Sequence, residues 1–401
     1  MRTSGLFAVL AAVLVVSSGA FAADDDPVKI GVLTDMSSLY ADLTGPGSLA
    51  AVQMAVEDFG GMVLGKPIEV ISADHQNKPD IGSALARKWY DEQGVDAIAD
   101  VPASSVALAV ENVTREKHKI ALMAGPASSD ITGKNCSPYT AQWVFDTYSL
   151  AHVTGRAVVE SGGDTWYFIT ADYAFGHALQ RDTTSVIEAA NGRVLGAVAA
   201  PLNTQDFSSY LLQAQASKAK IIGLANAGSD TINAIKQGGE FGIGEGGQKF
   251  AALLLFITDI HSLGLKAAQG IRLTTAFYWD QNEASRAWSK RFLERIGHMP
   301  TMIQAGNYSA VTHYLKAVQA LGSKDPDRVM AKMREMPIND FMTKNGHLRI
   351  DGLVLRDMYL YEVKKPSESK GPWDYYKLIR TVPGDQAYRP LDQGGCPLVK
   401  N

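Results

Sequence analysis

The stretch from Lys29 to Gly60, KIGVLTDMSSLYADLTGPGSLAAVQMAVEDFG, decides the fold class. Lys29-Ile30-Gly31-Val32-Leu33 is a short, almost unbroken apolar run, as in a strand covered on both faces. Leu49, Val52, Val56 and Phe59 then recur at helical spacing, and Gly60-Gly61 supplies residues that end a helix. The pattern continues outward from this unit. Ile68 to Ser72, Ala97 to Val101 and Ile120 to Met123 are further strand candidates, separated by helical segments at Ile81 to Gln93 and Ser105 to Lys117. Right-handed crossovers of this kind build a parallel sheet with helices on both faces.

A second series begins near Trp166. Expected strands at Trp166 to Thr170, Val194 to Ala199, Ile221 to Ala225 and Ala252 to Phe256 alternate with helices at His177 to Ala190, Ser208 to Ala216 and Ser229 to Gln237. After a strand at Ile271 to Ala276 come helical segments at Glu283 to Ile296, Asn307 to Leu321 and Pro326 to Met336. The tail changes character: His347 to Ile350, Leu353 to Val363 and Trp373 to Arg380 read as antiparallel strands, punctuated by Asp351-Gly352 and Lys365-Pro366. The fold class is therefore α/β with two doubly wound units.

The N-terminus indicates export. Met1-Arg2, the apolar run Leu6 to Val16 and Ala20-Phe21-Ala22 form a signal-peptide pattern, residues 1–22, with cleavage expected after Ala22 and release into the periplasm. The run is too short to span a bilayer, so the protein is expected not to be membrane-inserted. Loss of Arg2 takes the net charge from −4 to −5. That balance argues against a nucleic-acid partner. The two cysteines, Cys136 and Cys396, are too few and too far apart for a zinc site; in an oxidising compartment an even number favours a disulfide between them.

In open parallel sheets ligands bind beyond the carboxyl ends of the strands. The loops there read Thr34 to Tyr40, Pro102-Ala103-Ser104-Ser105, Ala124 to Ser129, Ala171 to Gly176 and Asn226-Ala227-Gly228-Ser229. Hydroxyls and small residues dominate the first unit, and aromatics enter in the second. Serines at helix starts serve as caps, and the same groups with the neighbouring N–H donors also bind carboxylates. Enzyme motifs are missing: there is no nucleophile elbow, paired-histidine zinc motif or phosphate-loop lysine. Gly242 to Gly247 matches a dinucleotide pattern in letters, but it precedes a strand instead of following one. We expect no catalytic residue, no cofactor and no metal.

These strand, loop and helix patterns resemble the Leu/Ile/Val-type periplasmic binding proteins of branched-chain amino acid ABC importers. The residues that carry the likeness are Pro27 to Gly60, Ser104-Ser105, Gly125 to Ser129 and Asp172-Tyr173-Ala174-Phe175-Gly176. The resemblance implies a type I periplasmic binding fold, with two Rossmann-like lobes joined by three crossovers. One lobe would comprise 27–146 plus 278–336, the other 147–277 plus 337–401 with the antiparallel tail. The resemblance also implies a small-molecule ligand, ABC permease subunits as partners, and a monomer. It carries Ser104, Ser105, Gly125, Ala127, Phe175 and Asp259 over to the ligand site; the strand-end loops add Tyr40, Ser128, Asp172, Tyr173 and Asn226, the aromatic rings among them suited to stacking on a planar ligand. Ala127 stands where amino-acid binders commonly have threonine, Phe175 where tyrosine is common, and Asp259 near the usual acidic partner of a ligand ammonium.

Asp172 to His177, Thr258-Asp259-Ile260-His261, Phe277 to Asp280 and Gly395-Cys396-Pro397-Leu398 are similar to a subgroup that takes aromatic carboxylates. The expected ligand is thus a benzoate- or phenylpropenoate-like acid. A branched-chain amino acid is the alternative, and a ligand-sensing module the second.

Overall fold

The computed structural model describes residues 26–244 and 246–400; the signal-peptide expectation at 1–22 lies outside them. The first series forms β1 (Lys29–Thr34), α1 (Gly45–Asp58), β2 (Glu69–Asp74), α2 (Pro79–Glu92), β3 (Ala97–Asp100), α3 (Ser104–Lys117), β4 (Ile120–Met123) and the short β5 (Thr140–Gln142). These strands make one parallel sheet in the order β2-β1-β3-β4-β5, with Ile30 opposite both Val70 and Ala97. All of β3 and β4 is buried, which explains their unbroken apolar runs.

The second series forms β6 (Thr165–Ala171), α4 (Ala174–Ala189), β7 (Arg193–Ala200), α5 (Ser208–Ala216), β8 (Ile221–Ala225), α6 (Ser229–Glu240) and β9 (Lys249–Ala252). Its parallel sheet runs β9-β8-β6-β7. In both sheets the second strand lies on the opposite side of the first from the later ones. Each sheet therefore has a switch point where loops diverge, after β1 and β3 in one and after β6 and β8 in the other.

The chain continues through α7 (Ile257–Leu263), β10 (Arg272–Thr275), α8 (Glu283–Ile296), α9 (Met302–Leu321) and α10 (Pro326–Glu335). Although late in sequence, α9 packs on α1 and beneath β3 and β4. A third, antiparallel sheet joins β10 to the tail strands β11 (Met358–Val363) and β12 (Tyr376–Val382), in the order β10-β11-β12.

Several boundaries differ from expectation. The strand expected at Ala252 to Phe256 ends at Ala252; residues 253–256 are buried yet leave the ladder, because an apolar run alone does not separate strand from buried loop. Helix α9 starts at Met302 rather than Asn307, since Thr301 and Gln304 form a capping box. Leu353 to Val363 splits in two: Val354–Leu355 pairs with His347–Leu348, and β11 pairs elsewhere. The last strand is displaced to Tyr376–Val382.

Cys136 and Cys396 form the expected disulfide, with Cα atoms 5.6 Å apart across 260 residues of sequence. It ties the end of the tail to the loop before β5. Among the described residues, no helix is long and apolar enough to cross a membrane.

Candidate ligand-binding site

The loops beyond both switch points face one another. The loop after β1 is built around Asp35, whose buried carboxylate accepts from the backbone N–H groups of Ser37, Ser38 and Tyr40. It thereby presents Tyr40. From the second sheet, the extended N-cap residue of α4 presents Tyr173. The two phenol oxygens meet at 2.5 Å, a hydrogen bond in which either can donate. Burial holds both phenols well above the usual tyrosine range, and each raises or restrains the other in turn, so both stay protonated.

Behind this bridge lies a cavity lined by Tyr40, Leu43, Thr44, Pro102, Gly125 and Ala127 on the side of the first sheet. Tyr173, Phe175, Ala227, Leu254 and Phe256 face them, and Ile303 comes from α9. Apart from the two tyrosines, none of these side chains is ionisable. Its volume is about 20 Å³, room for about one water. Pockets that enclose whole ligands start at ~300 Å³. As it stands, the cavity is too small to enclose such a ligand.

The loops are in contact already at Gly228. Its φ is +62°, and a Cβ there would stand 2.6 Å from the carbonyl oxygen of Leu39 and 3.2 Å from the Tyr40 ring. Only glycine lets the two backbones approach so closely.

Four helices open beside the cavity: α1 at Thr44, α3 at Ala103, α4 at Tyr173 and α6 at Gly228. None of these N-cap residues bonds back to its own first turn through a side chain. In α1, Gly45 N–H instead donates to Thr34 Oγ1. By contrast α8, α9 and α10 open on Asn282, Thr301 and Asp325, whose side chains accept from the first turn. Uncapped N–H groups and the positive ends of helix dipoles favour an anion.

The backbone between β3 and α3 is strained. Asp100 and Val101 have φ of +80° and +54°, rare for residues with side chains and rarer for a β-branched one. A buried network holds them: the Asp100 carboxylate accepts from Thr34 Oγ1 at 2.7 Å and Asn307 Nδ2 at 3.0 Å. Burial pushes its pKa up to about 6. This turn delivers Pro102 to the cavity wall. Gly125 is packed against it, leaving 2.6 Å between a Cβ there and Pro102 Cα.

Of the residues anticipated from sequence, Tyr40, Gly125, Ala127, Tyr173 and Phe175 are brought together around the cavity. Ser104 stands one layer back: its fully buried Oγ accepts from the N–H groups of Ala127 (3.3 Å) and Ser128 (3.1 Å). Ser105 lies in the first turn of α3. Ser128 is buried, and its Oγ accepts from Asp130 N–H. Asn226 is buried beside Ala227 and accepts from Thr231 Oγ1 at 2.6 Å.

Two residues fall elsewhere. Asp172 is mostly exposed, with its carboxylate 3.0 Å from His177 Nε2. Asp259 accepts from Phe256 N–H within the first turn of α7, and it lines a separate polar pocket of about 380 Å³ with Ser38, Asp42 and Asn203. Its own burial, then the charge of Asp42, push its pKa up to about 7.

Sequence reasoning did not assign Leu43, Thr44, Leu254, Phe256 or Ile303 to the site, nor Pro102 and Ala227, although it pointed to the loops that hold these two. Ile303 had one signal, the capping pair Thr301 and Gln304: Thr301 Oγ1 donates to Leu43 C=O, and Gln304 Nε2 to Thr44 C=O, so α9 braces the Tyr40 loop.

Residues 27–371 match the family described as periplasmic binding protein. The chain belongs to that family. It is 26% identical over 386 residues to the Leu/Ile/Val-binding protein homolog 6 of Brucella melitensis, covering 93% of this chain and 96% of that one. A crystallised periplasmic binding protein from Burkholderia mallei shares 54% identity and a TM-score of 0.92, over 94% of this chain and all of the other. The branched chain amino acid ABC transporter periplasmic ligand-binding protein of Burkholderia xenovorans is 43% identical, with a TM-score of 0.82, over 92% and 99%. A solute binding protein from R. palustris, crystallised with benzoate, shares the fold at 20% identity with a TM-score of 0.82, over 93% and 100%. This periplasmic binding protein is thus a solute-binding component of the ABC-transporter class, and its family and neighbours are binding proteins, not enzymes.

Proposed function

We propose that the protein captures a small aromatic monocarboxylate in the periplasm and delivers it to the permease of an ABC importer. One observation carries this reading: three helix N-termini without capping side chains, those of α3, α4 and α6, meet an apolar cavity that no charged side chain lines. An acid with a flat hydrocarbon body is the complement of such a cavity. Its carboxylate would take N–H groups at the start of α3 and the Ser105 hydroxyl, with Ser104 behind them holding the Ala127 loop. The ring would lie among Tyr40, Tyr173 and Phe175, where offset and edge contacts are favourable.

The accompanying division assigns 27–146 and 278–336 to one lobe and 147–277 and 337–401 to the other. Only the closed arrangement touches the solute from both lobes, so the solute favours closure by its extra contacts there. The closed form is what the permease receives.

Branched-chain amino acids are the second reading, favoured by what two of the relatives are named for. A zwitterion needs an acidic partner for its ammonium. Asp259 caps α7 outside the cavity, which weighs towards the aromatic acid. Calorimetric titration with benzoate, 4-hydroxybenzoate, cinnamate, leucine, isoleucine and valine tests the choice. Tight leucine binding with no heat from the aromatic acids reverses it.

A further inference from the structure

Asp35 does not line the cavity, yet it organises the loop that does. Its carboxylate is fully buried and gathers donors from three places. Oδ1 accepts from Ser37 N–H at 3.3 Å and Ser38 N–H at 2.9 Å. Oδ2 accepts from Ser38 Oγ at 2.7 Å, Tyr40 N–H at 2.9 Å and Asn77 Nδ2 at 2.7 Å. A single turn needs one or two such bonds. Here both oxygens are filled, and Asn77 reaches in from the loop after β2, so the carboxylate links two strand-end loops. Downstream, Leu43 and Thr44 N–H groups donate to the Tyr40 carbonyl, which passes the constraint on to two more cavity residues.

We propose that Asp35 is a positioning residue for solute binding: by holding the Tyr40 N–H it places the phenol that meets Tyr173 across the cleft. The inference rests on the reading of the cleft as the solute site. Asparagine is the informative substitution. Whichever carboxylate oxygen becomes an amide nitrogen, at least two acceptor contacts are lost while size is kept. Ordinary turn-making would affect stability alone. A positioning role acts on affinity, and acts through Tyr40.

The test is calorimetric titration with benzoate of the wild type, Asp35→Asn, Tyr40→Ala and the double variant. Asp35→Asn is expected to weaken benzoate by about tenfold, the loss of a charge-assisted bond. In the Tyr40→Ala background the same change should have less than about a twofold effect, because the ring it positions is gone. Equal losses in both backgrounds, or no loss in the single variant, overturn the proposal and leave the cleft reading standing. Crystal structures of the wild type and Asp35→Asn form the second arm. Displacement of residues 36–44 that parts the two phenols, with α1 in place, supports positioning; an unmoved Tyr40 overturns it. If benzoate fails to bind the wild type, the aromatic-acid reading falls and the crystallographic arm decides Asp35. Should Asp35→Asn not fold, Asn77→Ala removes one peripheral donor from the same carboxylate. The same comparison then holds with an expected loss of about threefold.

Discussion

Glu111 sits in the middle of α3, on the face that packs towards β5, with 1% of its surface exposed. Neither carboxylate oxygen has a well-formed hydrogen bond. Arg115, one turn on, donates to the carbonyls of Asn135 and Cys136. Burial therefore pushes the pKa of Glu111 from an ordinary 4.5 up to about 8, with Thr140 and the Arg115 charge offsetting this in part. An acid whose folded pKa is raised keeps its proton in the native state after the unfolded chain has lost it. Stability is then undiminished below about pH 4.5 and falls as pH rises towards 8.

Glutamine at this position has no charge to bury. By linkage the glutamate penalty is about 1 kcal/mol at pH 5 and about 4 kcal/mol at pH 8, so Glu111→Gln should gain about 3 kcal/mol relative to wild type between those values. Any fixed cost of burying the amide cancels in that comparison, as do the other titrating groups common to both proteins. Urea unfolding of both at pH 5 and pH 8, followed by far-UV dichroism, measures it. Stability curves that run parallel within about 1 kcal/mol would mean that water or a hidden partner reaches the carboxylate, and the argument from burial would fail.

Tyr173→Phe leaves the Tyr40 hydroxyl buried without its 2.5 Å partner, and should weaken an aromatic acid by about tenfold, read by calorimetry; an unchanged affinity would mean that the bridge plays no part in closure. Gly228→Ala places a Cβ 2.6 Å from Leu39 O at a φ of +62°, and should weaken every solute by a similar factor with native secondary structure intact. Small-angle scattering with saturating solute should show this variant more open than wild type, and equal profiles would refute the steric argument. Replacing Cys136 and Cys396 together by serine frees a 260-residue loop, for which chain entropy alone sets a ceiling of about 5 to 6 kcal/mol. The bonds from Arg389 to Ser129 C=O and from Tyr388 Oη to Val144 C=O still hold the tail, so a loss of about 2 to 4 kcal/mol in urea is expected. No shift in the midpoint would contradict it.

Much of this protein was legible in its sequence because the relevant physics is local. A strand covered on both faces must be apolar throughout, and a helix on a sheet must repeat its apolar residues every three or four positions. The alternation from Lys29 to Thr275 therefore announced two doubly wound units, and with them the strand-end loops where a ligand would bind. Tyr40, Tyr173 and Phe175, which line the cavity, stand in those loops, as does Asp172, which does not reach it. Two cysteines in an exported chain were enough to name the disulfide.

Tertiary structure decided which side of each loop faces the cavity. Asp172 sits in a tight bend in which Tyr173 N–H turns back to Ala171 C=O, and there the two side chains diverge; the tyrosine crosses to Tyr40 and the aspartate turns to solvent and His177. Asp259 was placed by the early end of β9: the chain leaves the ladder at Ala252 and α7 opens at Ile257, which makes the carboxylate a helix cap. Ile303 reaches the cavity only because α9 returns across α1, more than 250 residues after the loop it braces. Periodicity carries no information about such returns. They are set by which buried faces fit together once the sheets have formed, and by hydrogen bonds such as Thr301 to Leu43 whose two ends give no sign of each other in the sequence.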